Sequence, residues 1–153
     1  MKISRTTNYE IIAKLNRYVH ELHTKLYPTY FKEYNFEAIK EFFKGIIKHP
    51  QHLFLLLEDD EQYVGYAWIE IRNYPENPFK KAYQSVYVHQ ISISESHRNK
   101  GFGSKLMEEI KHIAKINHID MIELDYWCDN DIAKSFYQKQ GFTKYREFVY
   151  KEV

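Results

Sequence analysis

Apolar residues at Ile11, Ile12, Leu15, Val19 and Leu22 recur near helical spacing, which predicts a helix over Tyr9–Leu26 that Pro28 closes. A second helix is predicted over residues 36–47, capped by Asn35 and ended before Pro50. The period then changes from helical to alternating. Residues 52–57 and 63–72 read as the strands of a hairpin around the acidic, solvated turn Glu58-Asp59-Asp60-Glu61, and residues 73–78, which hold Pro75 and Pro78, read as a loop. Residues 83–94 alternate and are rich in β-branched side chains, as a central strand would be. Phe102, Leu106, Met107, Ile110, Ile113 and Ala114 then fall on one helical face. A strand over 121–127, a short helix over 131–140 closed by Gly141, and a last strand over 142–150 complete the chain. This order predicts a mixed α/β sheet in which one strand–helix–strand crossover sets two strands parallel.

With 153 residues and 44% hydrophobic content, the chain is expected to form one domain over 1–153 with a real core. A formal net charge of +1 provides no global field toward nucleic acid or anionic lipid. No apolar run reaches the roughly eighteen residues that span a bilayer, and the start Met1-Lys2-Ile3-Ser4-Arg5 lacks the apolar core of a secretion signal. A cytoplasmic protein is expected, and Cys128, a single cysteine with no internal partner, fits a reducing compartment. The aromatic load is high, with 14 Tyr and 10 Phe. Tyr27, Tyr30, Phe31 and Tyr34 cluster after the first predicted helix, where they either wall a substrate pocket or fill a core.

The candidate chemistry begins between the central strand and its following helix, at Ser96-His97-Arg98-Asn99-Lys100-Gly101-Phe102-Gly103-Ser104. Two glycines let the backbone turn tightly and approach a ligand, and the amides at a helix start are unpaired donors at the positive end of the helix dipole. With Arg98 and Lys100 beside them, they suit a pyrophosphate. Dinucleotide folds and nucleotide-hydrolysing P-loops fit poorly. Their glycine spacing differs, and here the basic residue precedes the glycines two-thirds along the chain.

This loop, preceded by Ile91-Ser92-Ile93, resembles the central strand and the Arg/Gln-x-x-Gly-x-Gly/Ala loop of the GNAT superfamily of acyl-CoA-dependent N-acyltransferases. The stretch from Asn130 through Ala133, Phe136-Tyr137 and Gly141-Phe142 is similar to that family's second signature. The resemblance implies a mostly antiparallel sheet with flanking helices, whose central parallel strand pair splays around acetyl-CoA. It implies that backbone groups of Ile91, Ser92 and Ile93 pair with the pantetheine arm. Arg98, Asn99, Lys100, Gly101, Phe102, Gly103 and Ser104 would hold the pyrophosphate, Asn130 would orient the arm and Ala133 would give it room. Asn130 also suits a helix N-cap, and the two roles are compatible. Tyr137 is the expected general acid that gives the departing thiolate a proton, against a reading as a buried packing residue.

The expected base is less conventional. Relatives often carry a carboxylate on the central strand, whereas this chain has His89 and Gln90 there. His89 can accept a proton near neutrality, directly or through water, or can be structural. The resulting expectation is direct acetyl transfer from acetyl-CoA to a primary amine, with a small cationic amine preferred because aromatic faces attract cations. Protein or peptide N-termini, or a non-catalytic acyl-CoA-binding module, are the alternatives. A homodimer is compatible with the resemblance. The pairs His20/His23 and His49/His52 lack a convincing carboxylate or cysteine set, so no metal is expected, and Cys128 reads as a small packing residue.

Overall fold

The computed structural model describes residues 1–153. Its elements run β1 (Lys2–Arg5), α1 (Tyr9–Leu26), α2 (Phe36–Ile46), β2 (His52–Asp59), β3 (Gln62–Tyr74), β4 (Tyr83–Ile93), α3 (Phe102–Ile116), β5 (Ile122–Glu123) and α4 (Asp131–Lys139). The strands form one sheet in the order β1-β2-β3-β4-β5, antiparallel except for the parallel pair β4–β5. The mixed α/β sheet with one parallel strand pair expected from the pattern is therefore present, as is the mostly antiparallel arrangement that the resemblance implies.

Helix starts follow the sequence closely. Asn8, Asn35 and Asn130 each turn a side-chain oxygen back to accept from a first-turn amide, at 3.1, 2.9 and 3.1 Å, and so cap α1, α2 and α4. The end of α4 is fixed by Gly141 at φ 87, with the Phe142 amide donating to the Tyr137 carbonyl and the Gly141 amide to that of Gln138. The β2–β3 hairpin closes on Asp60 and Glu61, both at positive φ, so only the second half of the acidic run forms the turn, and Glu58 and Asp59 belong to β2 instead.

Three elements differ from expectation. β1 was not legible, because its four residues bury only part of Ile3 and Ser4 at a sheet edge. The strand expected over 121–127 shrinks to Ile122–Glu123. Leu124 and Tyr126 still pack on the core, so the alternation reports side-chain burial after the backbone ladder has ended. The strand expected over 142–150 does not form. Only Phe142 touches the core, and residues 143–153 are exposed and unpaired.

The sheet separates two cores. Fifteen residues, including Val86, Val88, Leu106, Met107, Ile110 and Tyr137, pack on the α3 side. On the other side Ile12, Leu15, Phe43, Phe54, Tyr66 and Trp68 pack beneath α1 and α2. A bulge in β4 joins the two patterns. Trp68 faces Gln90 but Ile69 faces Val88, leaving His89 as the extra residue. Val86 and Val88 before the bulge, and Ile91 and Ile93 after it, consequently all face α3 although their parity has changed.

Candidate functional site

The parallel ladder between β4 and β5 consists of Val86 opposite Ile122 and Tyr87 opposite Glu123, and then the strands part. Beyond Tyr87, β4 has no partner on that side, so its edge lines an open cleft from residue 88 to residue 93. Ile91 and Ile93 send their side chains to the α3 core. Ser92 is buried, and its hydroxyl donates to the Leu15 carbonyl at 2.6 Å, so only the main chain of this strand faces the cleft.

The loop from Arg98 to Ser104 lies at the wider end of that cleft. Arg98 donates through Nε to the Ile93 carbonyl at 3.2 Å, which ties the loop to the strand. Asn99 and Gly101 both adopt positive φ, 60 and 84, and Gly101 opens α3 with no side-chain cap. Whereas an asparagine closes the other helix starts, the successive amides of residues 99–104 have no acceptor within the protein. Such a run of unpartnered donors at a helix dipole's positive end is chemically matched to a polyanion. The two glycines serve different ends. Gly101 supplies its φ, whereas a Cβ on Gly103 would meet the Phe136 ring at 3.1 Å, so Gly103 allows α3 and α4 to approach. Phe102 is buried in the α3 core, Ser104 accepts from Gln140 at 2.9 Å, and Lys100 is exposed.

Asn130 is buried, and its side-chain oxygen is engaged by the Ala133 amide, as the capping role requires. Tyr137 on α4 is 9% exposed and packs against Tyr126, Phe136 and Phe142. Its hydroxyl has no hydrogen-bond partner in the protein, yet it is not sealed away with the buried orphan atoms. Burial, reinforced by the charge of Asp125, pushes its pKa up, so the phenol keeps its proton and remains a donor.

On the opposite face, His89 lies flat on Trp68 at 4.1 Å between ring centroids. Its Nε2 meets Glu70 Oε2 at 2.7 Å, and Arg72 reaches the same oxygen at 2.9 Å. Burial lowers the His89 pKa, and although the hydrogen bond and charge of Glu70 act the other way, the shift remains downward. Burial alone would raise the Glu70 pKa, but bonds from His89 and Arg72 outweigh it and hold the carboxyl below its ordinary value. Glu70 as an anion accepts from Nε2–H, which leaves Nδ1 of a neutral His89 as the basic lone pair. The central strand has no carboxylate here, and the neighbouring strand β3 sets one, Glu70, against His89. Sequence reasoning missed Glu70, because seeing it requires the bulge-shifted register that sets Glu70 opposite Tyr87.

His52 completes a trio with Glu70 and His89, whose polar atoms lie within 4.8 Å of one another. The carboxylate that the His49/His52 pair lacked in sequence is therefore present in space. The donor chemistry still favours proton traffic over a metal. Trp68 Nε1 donates to His52 Nδ1 at 2.9 Å, so a neutral His52 carries its proton on Nε2, and His89 Nε2 is occupied by Glu70. Farther along this face, Asn16 donates to Tyr66 and Gln90, and the Tyr66 hydroxyl donates to Gln90 at 2.5 Å. Asn16 and Gln90 line a cavity of about 410 Å³ that also includes His20, Lys32, Phe42 and Phe43.

The aromatic cluster divides. Tyr27, Tyr30 and Phe31 gather on Trp127, at 4.5, 5.6 and 5.3 Å, and the Asp129 amide donates to the Tyr27 hydroxyl. They connect the segment after α1 to the segment before α4, on the side where the parallel strands part. Tyr34 stands apart, donating to the Ala13 carbonyl with the Arg17 guanidinium 4.8 Å over its ring. Trp127 was missed by sequence reasoning. Cys128 beside it is exposed, not packed.

Residues 16–142 match the family model described as the acetyltransferase (GNAT) family. Over 101 residues the chain is 24% identical to a Bacillus subtilis protein described as an uncharacterized N-acetyltransferase, YycN; the match takes in 66% of this chain and 61% of that one. The chain thus spans about three-fifths of that relative's length. Its fold is similar to that of a mutant of the BH1408 protein from Bacillus halodurans, with a TM-score of 0.93, 26% identity, and coverage of 100% and 99%. It is also similar to the aminoglycoside antibiotic 6'-N-acetyltransferase AAC(6')-IG from Acinetobacter haemolyticus, at a TM-score of 0.72, 19% identity, and coverage of 100% and 98%. That likeness is one of fold.

Proposed function

This chain belongs to the GNAT family of acetyltransferases, and from that premise we propose that residues 1–153 act as one domain that moves the acetyl group of acetyl-CoA directly to a primary amine. The observation that carries the reading is the run of unpartnered amides from Asn99 to Ser104 at the end of the open β4 edge. Those amides would hold the pyrophosphate, with Arg98 and Lys100 adding charge, and the main chain of Ile91 to Ile93 would pair with the pantetheine arm. Asn130, held at the start of α4, would orient the arm, and Ala133 would give it room.

Acetyl-CoA, when bound, supplies a thioester carbonyl open to attack and a thiolate as leaving group. Tyr137 holds a proton that its buried setting retains, and donates it toward the departing sulfur. His89 Nδ1, with Glu70 steadying Nε2–H, takes the proton that the attacking ammonium must lose. Tyr137 and His89 belong to opposite faces of the sheet, so acid and base approach the cleft from different sides.

The acceptor we assign is a small cationic amine. Tyr30 is 57% exposed and Trp127 37% exposed, leaving aromatic surface for a cation, whereas the Tyr34 face is already covered by Arg17. The deciding experiment follows free thiol release from acetyl-CoA over a panel of polyamines, amino sugars and peptides with free N-termini. Turnover with small amines is expected. Turnover with peptides alone would replace the acceptor, and coenzyme A binding without turnover on any amine would reduce the protein to a binding module.

A further inference from the structure

The cavity beneath α1 and α2 has a polar corner whose hydrogen bonds are only half used. Asn16 is 3% exposed, and both hydrogens of its amide are spent, one on the Tyr66 hydroxyl at 2.9 Å and one on Gln90 Oε1 at 3.0 Å. Its Oδ1 has no partner in the protein, and neither has Gln90 Nε2, since Gln90 takes its bonds from Asn16 and Tyr66 through the oxygen. The unpartnered side-chain atoms sealed from solvent are Ser85 Oγ and Glu123 Oε1 alone, so Asn16 Oδ1 and Gln90 Nε2 meet the cavity that their residues line. Were both carboxamides turned over, Asn16 would offer the donor and Gln90 the acceptor, so the corner presents one of each in either orientation.

The rest of the lining narrows the chemistry that fits. Phe42, Phe43 and Ile39 provide apolar walls, and Lys32 is the one permanently charged side chain among the lining residues, so a second ammonium is repelled. At about 410 Å³ the cavity lies within the roughly 300–1,000 Å³ of small-ligand sites. It also adjoins the proposed chemistry. Gln90 follows His89 in the chain, Phe42 packs on Trp68 with ring centroids 5.8 Å apart, and His89 lies on that same indole at 4.1 Å.

We propose that this cavity selects the acetyl acceptor as an amine with a single ammonium and, a few atoms away, a neutral group that both donates and accepts a hydrogen bond, as a hydroxyl or a carboxamide does. The assignment rests on the proposed transfer to a small amine and names the part of that amine which does not react. Such a group satisfies Asn16 Oδ1 and Gln90 Nε2 together, whereas an alkyl group of the same shape buries both without a partner. Polyamines are then poor acceptors, because their second ammonium meets Lys32 and finds no carboxylate in the lining.

NMR titration of the full chain with matched amines, in excess coenzyme A, tests it. Propanolamine and β-alaninamide are expected to bind about tenfold or more tightly than butylamine and isopentylamine, which have their shapes without the polar group. Whichever of the two has the larger advantage identifies the group as hydroxyl or carboxamide. Trimethylenediamine is expected to bind no better than butylamine, and Lys32→Glu, at an exposed position, is expected to tighten it about fivefold. Asn16→Leu is expected to erase the preference for the polar amines, with circular dichroism checking that it folds. Equal binding of polar and alkyl amines by the wild type, an unaltered diamine affinity in Lys32→Glu, or a folded Asn16→Leu that keeps the preference would each overturn the proposal. Because binding is read without turnover, a preference without acetylation would remove the proposed reaction and leave this site in place.

Discussion

The two faces of the sheet handle polarity in opposite ways. On the α3 side the core is apolar, the one titratable side chain in it is Tyr137, and the polar work at its rim falls to main-chain amides of a loop and a helix start. On the α1/α2 side, side chains carry the polarity: Asn16, Tyr66, Gln90 and Ser92 are bonded to one another or to α1, and Glu70, His89 and Arg72 form a charged group beside them. The division suits the two tasks. Backbone amides do not titrate, so they hold an anion at any pH, whereas proton transfer needs groups whose pKa the surroundings can set.

The sharpest way to break this comparison is to remove the one polar side-chain atom among the buried residues of the α3 core. Tyr137→Phe keeps the ring and its packing on Tyr126 and Phe142. The maximal rate is expected to fall by about a hundredfold or more, with coenzyme A affinity in calorimetry unchanged. Equal turnover in variant and wild type would take the phenol out of the mechanism.

A smaller effect separates the roles of His89 and Glu70 on the other face. Because burial depresses the His89 pKa, the rise of activity with pH should lie below the usual histidine value. Glu70 opposes that depression by its hydrogen bond and charge, so Glu70→Gln should move the limb to still lower pH and lower the plateau by about tenfold. His89→Ala should abolish the limb. A limb that stays in place in both variants reports the ionisation of the amine instead. The same depressed pKa values bear on stability. His89, His52 and His23 bind a proton less readily folded than unfolded, and Glu70 likewise, so thermal stability should decline as pH falls from neutrality.

What the sequence disclosed follows the same division. The helices, the caps Asn35 and Asn130 and the glycine loop were legible, since each rests on local chemistry: side-chain capping, a required positive φ, a one-sided apolar stripe. Glu70 and Trp127 were not, because their partners come from distant positions fixed by register and by a bulge. Residues 121–127 and 142–150 misled for a further reason. Alternation shows where side chains can pack, and a ladder also needs a neighbouring strand, which the sheet provides for Ile122 and Glu123 alone on that side.

The smallest expected effect contrasts the two cores directly. Met107 is fully buried among apolar neighbours on the α3 side, so Met107→Ala should leave a cavity and cost about 2–5 kcal/mol. Tyr66 is equally buried on the other side, and its hydroxyl bonds both Asn16 and Gln90. Tyr66→Phe removes that hydroxyl; Asn16 keeps its bond to Gln90 at 3.0 Å but loses the acceptor of its other buried amide hydrogen. The cost should be about 1–2 kcal/mol, read as a shift in the denaturation midpoint with an unchanged slope. A loss as large as that of Met107→Ala would mean that the hydroxyl is the centre of the network, and that Asn16 and Gln90 cannot hold their positions without it.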